Sequence, residues 1–425
     1  MSAALIELLL ILFDIFNGDG SMPLYMFIYF EIFLIFSLAF FVVKTKRSRD
    51  DERFTPPINI PAFIIITGII FRITVIPAAP TTSPDVFRYI WEGKIIEHGV
   101  NPYQVPPDAH MLNQYHSDLW EKIGFKNMTS IYPPFAQIAF LIGYKISGES
   151  VWGLKVVYLI FEIITLLILL KLLKLKKINP GYIILYAWLP IPIMEYFINA
   201  HIDAVGITFF ILFLYYIEKG RNKLSAVFFA LSILVKFYPL MLFPLLIKKI
   251  GIKKLASFIS IFVLTTLFFY APFLTSDFAV KNSLTTYILR WEFNGSVYNL
   301  IKMFSDQNLS RIICGILLMV SIITISFKYR DFVNGTFGVL LSFVIFATTI
   351  YPWYLGWIAA LNPVLNFYSV LSLLFTSNFS NFTPMGKVWQ EYWRVLLIEY
   401  LPFFLLLYID LRNRILYKKT NPSSF

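Results

Sequence analysis

Residues 22–43 read MPLYMFIYFEIFLIFSLAFFVV, with Glu31 as the single charged side chain in the run. A helix of this length and polarity can cross a hydrocarbon core of roughly 30 Å. Comparable apolar runs recur along the chain, at Ile58–Ala79, Val151–Leu170, Tyr182–Phe197, Ile202–Ile217, Leu255–Phe273, Ile312–Phe327, Phe337–Ile350 and Val395–Ile409. The repetition predicts an all-α, polytopic transmembrane helix bundle.

The amino-acid composition indicates that much of this chain is surrounded by lipid. Hydrophobic residues make up 58% of the 425 and charged residues 14%. A soluble protein of this length needs a more polar surface. The single cysteine, Cys314, excludes an intramolecular disulfide.

The formal net charge of +11 does not indicate nucleic acid as a partner. The positive residues form short clusters between the apolar runs, which is typical of loops on the cytoplasmic side of a membrane. The clusters are Lys44–Arg53, Lys171–Lys177, Lys219–Lys223, Lys248–Lys254, Lys328–Arg330 and Arg412–Lys419. We therefore interpret them as determinants of topology.

These basic clusters predict how the chain crosses the membrane. Ile58–Ala79 runs outward, so residues 80–130 form a long extracytoplasmic loop. Ile131–Ile146 either spans or re-enters, and only re-entry leaves the next two basic clusters inside. Leu224–Ile247 is expected to be a broken hairpin interrupted at Lys236-Phe237-Tyr238-Pro239, and Tyr351–Phe375 to repeat this device at Asn362-Pro363. The total is about 11 to 13 crossings.

One further segment leaves its placement open. Leu5–Phe16 is too short to span unaided and is expected to be an interfacial helix or a companion to the next span.

Three regions are expected along the chain. Residues 1–57 should form N-terminal membrane segments and a basic cytoplasmic loop, 58–376 the transmembrane core, and 377–425 a final span with a basic cytoplasmic tail.

Polar residues converge on the predicted outer face. Asp85, Arg88 and Glu92 share one face of a helix just after an outgoing span. A carboxylate in this place could serve as a general base on a substrate at the membrane surface. An Asp85–Arg88 salt bridge is the structural alternative.

Three other ionisable residues interrupt apolar runs, where each would be costly without a function or a partner. His201 and Asp203 either line a polar cavity or merely begin a helix at the interface. Lys236 either holds a phosphate as a point charge or extends toward the headgroups. The many aromatic side chains are typical of interfacial belts, although some could stack on sugars.

In this order, the motifs resemble those of the GT-C glycosyltransferases, in particular the bacterial polyprenyl-phosphate-mannose-dependent mannosyltransferases and, in plan, the catalytic GPI mannosyltransferase. The resemblance covers residues 58–360 and rests on Asp85-x-x-Arg88-Tyr89-x-Trp91-x-Gly93, Gly99-x-Asn101-Pro102-Tyr103, Ile131-Tyr132-Pro133-Pro134, Tyr186-Ala187-Trp188-x-Pro190, Glu195, Asn199-Ala200-His201-Ile202-Asp203, Lys236-x-x-Pro239, Trp291-x-x-Asn294-Gly295-Ser296 and Pro352-Trp353-Tyr354. Glu92 stands where the family more often has Asp, and the segments before Ile58 have no counterpart in the simplest family layout.

The resemblance implies a GT-C fold with a catalytic first exterior loop and an inverting transfer of a hexose, mannose by the closest match. The donor would be a polyprenyl-phosphate-linked sugar, and the acceptor a glycan or glycolipid, in the plasma membrane among its lipids. Asp85 would be the general base, and Arg88 and Lys236 would bind the donor phosphate. Sugar or acceptor contacts would come from Glu92, Asn101, Tyr103, His201, Asp203, Asn294 and Trp353. No metal or other cofactor is required by this interpretation.

Two other classes of function remain open from the sequence. A transporter or flippase of lipid-linked sugars would use the same outer cavity, but should show internal repeats, and none is apparent. A surface-polysaccharide polymerase or ligase would use a diphosphate-linked donor, and the context of Asp85 argues against it.

Overall fold

The computed structural model describes residues 1–18, 20–46, 59–274, 280–385 and 390–420. Most of the predicted basic loop at Lys44–Arg53 lies outside these residues. The described residues are predominantly helical and contain no strand. The predicted all-α polytopic helix bundle is confirmed.

The α-helices are numbered here in chain order. They are α1 Ser2–Phe16, α2 Met22–Lys46, α3 Ile60–Thr74, α4 Asp85–Glu97, α5 Asp118–Glu121, α6 Pro134–Ser147, α7 Trp152–Leu175, α8 Ile184–Ala187, α9 Pro190–Phe197, α10 Asp203–Glu218, α11 Asn222–Ile233, α12 Phe243–Ile250, α13 Ile252–Tyr270, α14 Val280–Arg290, α15 Ser296–Lys302, α16 Gln307–Lys328, α17 Phe332–Phe346, α18 Gly356–Ala359, α19 Asn362–Leu365, α20 Tyr368–Thr376, α21 Phe382–Met385 and α22 Trp393–Thr420.

Within the described ranges, four segments are long and apolar enough to cross a membrane by length and composition. They are Met22–Thr45, Trp152–Leu175, Ile252–Phe273 and Gln307–Lys328. The other apolar runs form shorter helices, so the count of about 11 to 13 crossings stays a prediction. Helix α1 packs against α2 and α3, as expected of a companion to the next span.

The run Tyr182–Phe197 is broken, although the sequence predicted one continuous span. Helix α8 ends at Ala187, and Pro190 begins α9 after an extended residue. The buried Arg72 side chain of α3 donates to the Ala187 carbonyl (2.8 Å) and pairs with Glu162 of α7 (2.9 Å). A break at membrane depth requires such a partner, because no water is there to bind the freed carbonyl.

The two breaks that the sequence did predict are present. Helix α11 ends at Ile233, and a 3₁₀ turn at Tyr238–Leu242 precedes α12. The segment after Tyr351 is divided into a 3₁₀ turn and three short helices, with Asn362-Pro363 beginning α19.

Basic clusters meet at one end of the bundle. Lys176 at the end of α7 pairs with Glu218 at the end of α10 (2.5 Å) and with Asp331 before α17 (2.7 Å). Lys249 of α12 also pairs with Glu218 (2.7 Å). The clusters Lys171–Lys177, Lys219–Lys223 and Lys248–Lys254 therefore lie on the same side, as the positive-inside argument required.

Helix α6 does not reach this basic end. It runs beside α4, and Lys145 near its end pairs with Glu97 at the end of α4 (2.9 Å). Gly93 of α4 abuts the Phe140 carbonyl so closely that a Cβ would not fit. The chain then turns back at Gly148 into α7, which is the path that the re-entrant interpretation of Ile131–Ile146 needs.

Candidate active site

A cavity of about 1200 Å³ opens at the end of the bundle opposite the basic clusters. Five of the predicted site residues line it, namely Asp85, Arg88, Glu92, Lys236 and Trp353. The other five, Asn101, Tyr103, His201, Asp203 and Asn294, lie behind its wall. Pockets for drug-sized ligands measure roughly 300–1000 Å³, so this cavity is larger than a typical small-molecule pocket.

Asp85 is the first residue of α4 and lies at the inner part of the cavity wall. Pro84 precedes it, and the Asp85 amide donates to the Ser83 hydroxyl (3.2 Å), which begins the helix. Burial raises the pKa of Asp85 to about 6, although the nearby Lys236 ammonium opposes this rise. A carboxylate with this pKa can accept a proton near neutral pH.

Arg88 pairs with Glu92, and the Asp85–Arg88 salt bridge considered from the sequence is not formed between these described side chains. Its Nε donates to Glu92 Oε1 (2.6 Å), while Nη1 and Nη2 donate to the carbonyls of Phe125 (3.3 Å) and Met128 (2.7 Å). Arg88 thus holds the 125–128 loop against α4.

Glu92 is almost completely buried behind this pair. Its Oε2 accepts from the Ser130 hydroxyl (2.8 Å) and from Gln137 Nε2 (2.7 Å). With both oxygens engaged, Glu92 is satisfied within the protein, and its predicted contact with a sugar stays a prediction.

Lys236 turns inward and pairs with Asp203. Its ammonium lies 2.6 and 2.7 Å from the two carboxylate oxygens, and Trp357 Nε1 donates to the same carboxylate (2.8 Å). Gly206, one turn along α10, lets the Trp357 ring approach, because a side chain there would collide with it. Lys236 therefore does not extend to the headgroups. Asp203 does begin α10, as the structural alternative supposed, but it is fully buried.

Four aromatic rings stack in sequence at the cavity, and three of them, Phe293, Tyr351 and Trp353, line it. Phe293 lies on Tyr351 (4.5 Å between ring centroids), Tyr351 on Trp353 (4.4 Å), and Trp353 on His201 (3.8 Å). Both ring nitrogens of His201 are buried without a hydrogen-bond partner among the described residues. His201 lies behind Trp353, where it supports the stack and does not reach the cavity.

Three predicted contact residues brace the backbone around the cavity. Asn101 Nδ2 donates to the Phe273 carbonyl (3.2 Å), and the Tyr103 hydroxyl donates to the Tyr132 carbonyl (2.7 Å). Asn294 Nδ2 donates to Glu399 Oε1 (3.0 Å). These contacts hold the cavity wall, and a direct contact of the three with substrate stays a prediction.

The cavity also includes residues that the sequence analysis missed. Arg290, at the end of α14, is exposed, lines the cavity and forms no ion pair within the described part of the chain. Glu391 and Trp393 reach the cavity from beyond the predicted core boundary at 376. Arg290 directly precedes the motif that begins at Trp291, so its place beside that motif could have identified it as a candidate site residue.

The N-terminal segments contribute to the support of the site. The Tyr25 hydroxyl of α2 donates to Glu195 Oε1 (2.8 Å), and Asn199 Nδ2 donates to Glu195 Oε2 (3.0 Å). Asn199 Oδ1 in turn accepts from the amides of Thr81 and Thr82 (2.9 and 3.0 Å). The loop that leads to Asp85 is thereby anchored to the bundle.

Acidic and histidine side chains are not grouped as metal ligands would be in the residues described above. The prediction that transfer needs no metal remains open.

Comparison with known proteins identifies the family of this chain. No curated protein matches the chain. The model of the MptA_B family, described as alpha-(1->6)-mannopyranosyltransferase, N-terminal domain, matches residues 12–250, which is more than half of the chain. That region includes Asp85, Asp203 and Lys236. The chain therefore belongs to the MptA_B family of mannosyltransferases and is a membrane-embedded hexosyltransferase.

Proposed function

We propose that this enzyme takes mannose from a polyprenyl-phosphate donor and transfers it to a glycan or glycolipid acceptor on the extracytoplasmic face of the plasma membrane. The observation that carries the proposal is Asp85, a carboxylate of raised pKa on the wall of a large cavity and near the Lys236 ammonium. A base next to a cation suits a reaction that removes a proton and releases a phosphate.

In the proposed reaction, an acceptor hydroxyl oxygen attacks the anomeric carbon of mannose from the face opposite the phosphate. The bond between that carbon and the phosphate oxygen breaks, and polyprenyl phosphate leaves with the bonding electron pair. The hydroxyl proton passes to Asp85. Because the configuration inverts, an α-linked product of the kind named for the family requires a β-linked donor.

Cations near the leaving group would stabilise its charge. Lys236 faces the cavity over the ring of Tyr354 (4.4 Å), but Asp203 already neutralises it. Arg88 is likewise neutralised by Glu92. Arg290 supplies a further cation without an ion pair in the described chain, and we assign it with Lys236 and Arg88 to the donor phosphate. No metal or other cofactor enters this scheme.

Replacing Arg290 by glutamine is expected to raise the donor KM by about tenfold, because a charge-assisted hydrogen bond to phosphate is lost. Arg290→Lys keeps the charge and should retain most of the affinity. The measurement is the initial rate against donor concentration in proteoliposomes. An unchanged donor KM in Arg290→Gln would remove Arg290 from the phosphate site.

The reaction should depend on the ionisation of Asp85. The carboxylate is the active form, and its pKa is raised to about 6. Above that pH the base is present and kcat/KM is constant. Below it, kcat/KM should fall by about tenfold per pH unit as the carboxyl becomes protonated. A profile that stays flat down to pH 4 would contradict a base of this pKa.

The experiment that tests the function compares donors. Purified protein in liposomes is given β-linked polyprenyl-phosphate [³H]mannose, the α-linked isomer, or a nucleotide-linked mannose, each with a panel of mannose-terminated acceptors. Transfer from the β-linked lipid alone supports the proposal. Transfer from the nucleotide sugar contradicts the proposed donor. Movement of the lipid-linked sugar across the bilayer without transfer would favour a flippase.

A further inference from the structure

Two aromatic side chains from distant parts of the chain meet on the cavity wall. The rings of Phe125 and Trp291 lie edge to face, with centroids 4.7 Å apart, and both line the cavity. Phe125 is 61% exposed. A single exposed ring is common in proteins, but two rings that meet on a cavity wall form an apolar patch, and such patches often mark ligand-binding sites.

The backbone at Phe125 strengthens this point. Its φ is +50°, in the left-handed region that bulky side chains rarely adopt, at a typical cost of about 1–3 kcal/mol. The Arg88 guanidinium holds this conformation by its bonds to the carbonyls of Phe125 and Met128. The protein therefore maintains a strained loop that presents a ring to the cavity.

Trp291 is also fixed in place. Tyr287 packs against it (5.4 Å between centroids). Arg311 donates to the Trp291 carbonyl (2.7 Å). Contacts within the protein therefore position Trp291 before any ligand arrives, which reduces the entropy lost on binding.

We propose that Phe125 and Trp291 form a stacking subsite for a hexose unit of the acceptor glycan. The proposal rests on the proposed function in so far as the acceptor is a glycan. The C–H face of a pyranose packs on an aromatic ring, whose face is electron-rich. Glu391 and Asn299 line the cavity on the same side as Trp291 and could receive or donate hydrogen bonds to sugar hydroxyls.

The acceptor is favoured over the polyprenyl chain as the occupant of this subsite. Glu391 and Asn299 are hydrogen-bonded to each other (3.1 Å), but each keeps further hydrogen-bonding capacity, which an isoprenoid would cover with apolar surface and leave unused. The position of the subsite also favours the acceptor, because Arg88, one turn along α4 from Asp85, binds the loop that contains Phe125. A sugar stacked there would be held in a fixed relation to the base.

The kinetic test separates the ring from the backbone. Phe125→Gly removes the ring but permits the left-handed conformation, whereas Phe125→Ala removes the ring and keeps the strain. Both variants and Trp291→Ala are expected to raise the acceptor KM by about tenfold and to change the donor KM by less than about twofold. Trp152→Ala, at an exposed tryptophan outside the cavity, is the matched control.

Either of two results would overturn the subsite. The acceptor KM could stay unchanged in Phe125→Gly and Trp291→Ala, or the donor KM could rise in place of the acceptor KM, which would assign the rings to the lipid. If Phe125→Ala alone raised the acceptor KM, the backbone and not the ring would carry the effect, and the subsite would be rejected.

A binding measurement keeps this inference distinct from the proposed function. Methyl α-mannobioside is titrated into donor-free protein, and the change in tryptophan fluorescence is followed in wild type, Phe125→Gly, Trp291→Phe and Trp152→Ala. Saturable quenching that is lost in Phe125→Gly and reduced in Trp291→Phe supports the subsite, even if no polyprenyl-phosphate donor is used. Equal quenching in all four proteins, or none in wild type, rejects it.

Discussion

Asp85→Asn is expected to lower kcat by about 10²–10⁴-fold, the usual contribution of a positioned general base. Asparagine has nearly the same shape as aspartate and can still accept a hydrogen bond from the Ser83 side chain, but it cannot take up the proton of the acceptor hydroxyl. The KM values for donor and acceptor should change little. The measurement is transfer of labelled mannose from the lipid donor in proteoliposomes, at saturating concentrations of both substrates.

The matched control is Asp118→Asn, which removes the same charge from an exposed site between α4 and α6. Thermal unfolding of both variants shows whether the fold is intact. If Asp85→Asn transfers mannose at the wild-type rate, Asp85 is not the base. The search would then turn to Asp203 and Glu92, although both already have partners within the protein.

Lys236→Met is expected to impair both stability and donor binding. The change leaves the fully buried Asp203 carboxylate with Trp357 as its remaining hydrogen-bond partner in the structure. Removing one partner of a buried pair typically destabilises a protein by about 3–5 kcal/mol. Loss of the cation should also raise the donor KM. The measurements are unfolding in detergent and donor kinetics.

A double variant separates these two effects. In Asp203→Asn with Lys236→Met, no buried charge is left unpaired, so most of the lost stability should return. Donor binding should stay impaired, because the ammonium is still absent. Recovery of both properties would show that Lys236 serves the fold alone. Wild-type stability of the single variant would contradict the energetic importance of the pair.

Much of the fold could be predicted from single segments. The runs at Met22–Val43 and Val151–Leu170 became the long helices α2 and α7. The interruptions at Pro239 and Asn362-Pro363 became breaks, because proline lacks the N–H group that a helix interior needs and is best tolerated in the first turn of a helix. The run Tyr182–Phe197 was the exception, since its apolar composition concealed the break before Pro190.

Five of the ten predicted site residues lie together on the cavity wall, whereas the contacts among them were not predicted. Asp85, Arg88, Glu92, Lys236 and Trp353 do line one cavity. Their ion pairs differ from the Asp85–Arg88 salt bridge considered from the sequence, because Arg88 pairs with Glu92, four residues later. The pairing of Lys236 with Asp203 joins residues from two segments, and spacing alone did not indicate it.

The sequence by itself determined the all-α class, the course of most helices and the end of the bundle that carries the basic clusters. These properties follow from the transfer free energy of each segment, which depends on its own residues. The tertiary structure alone decided that Tyr25 supports Glu195, 170 residues away, and that Phe125 meets Trp291 across the cavity. Such contacts depend on how several helices pack at once, and no local pattern encodes that packing.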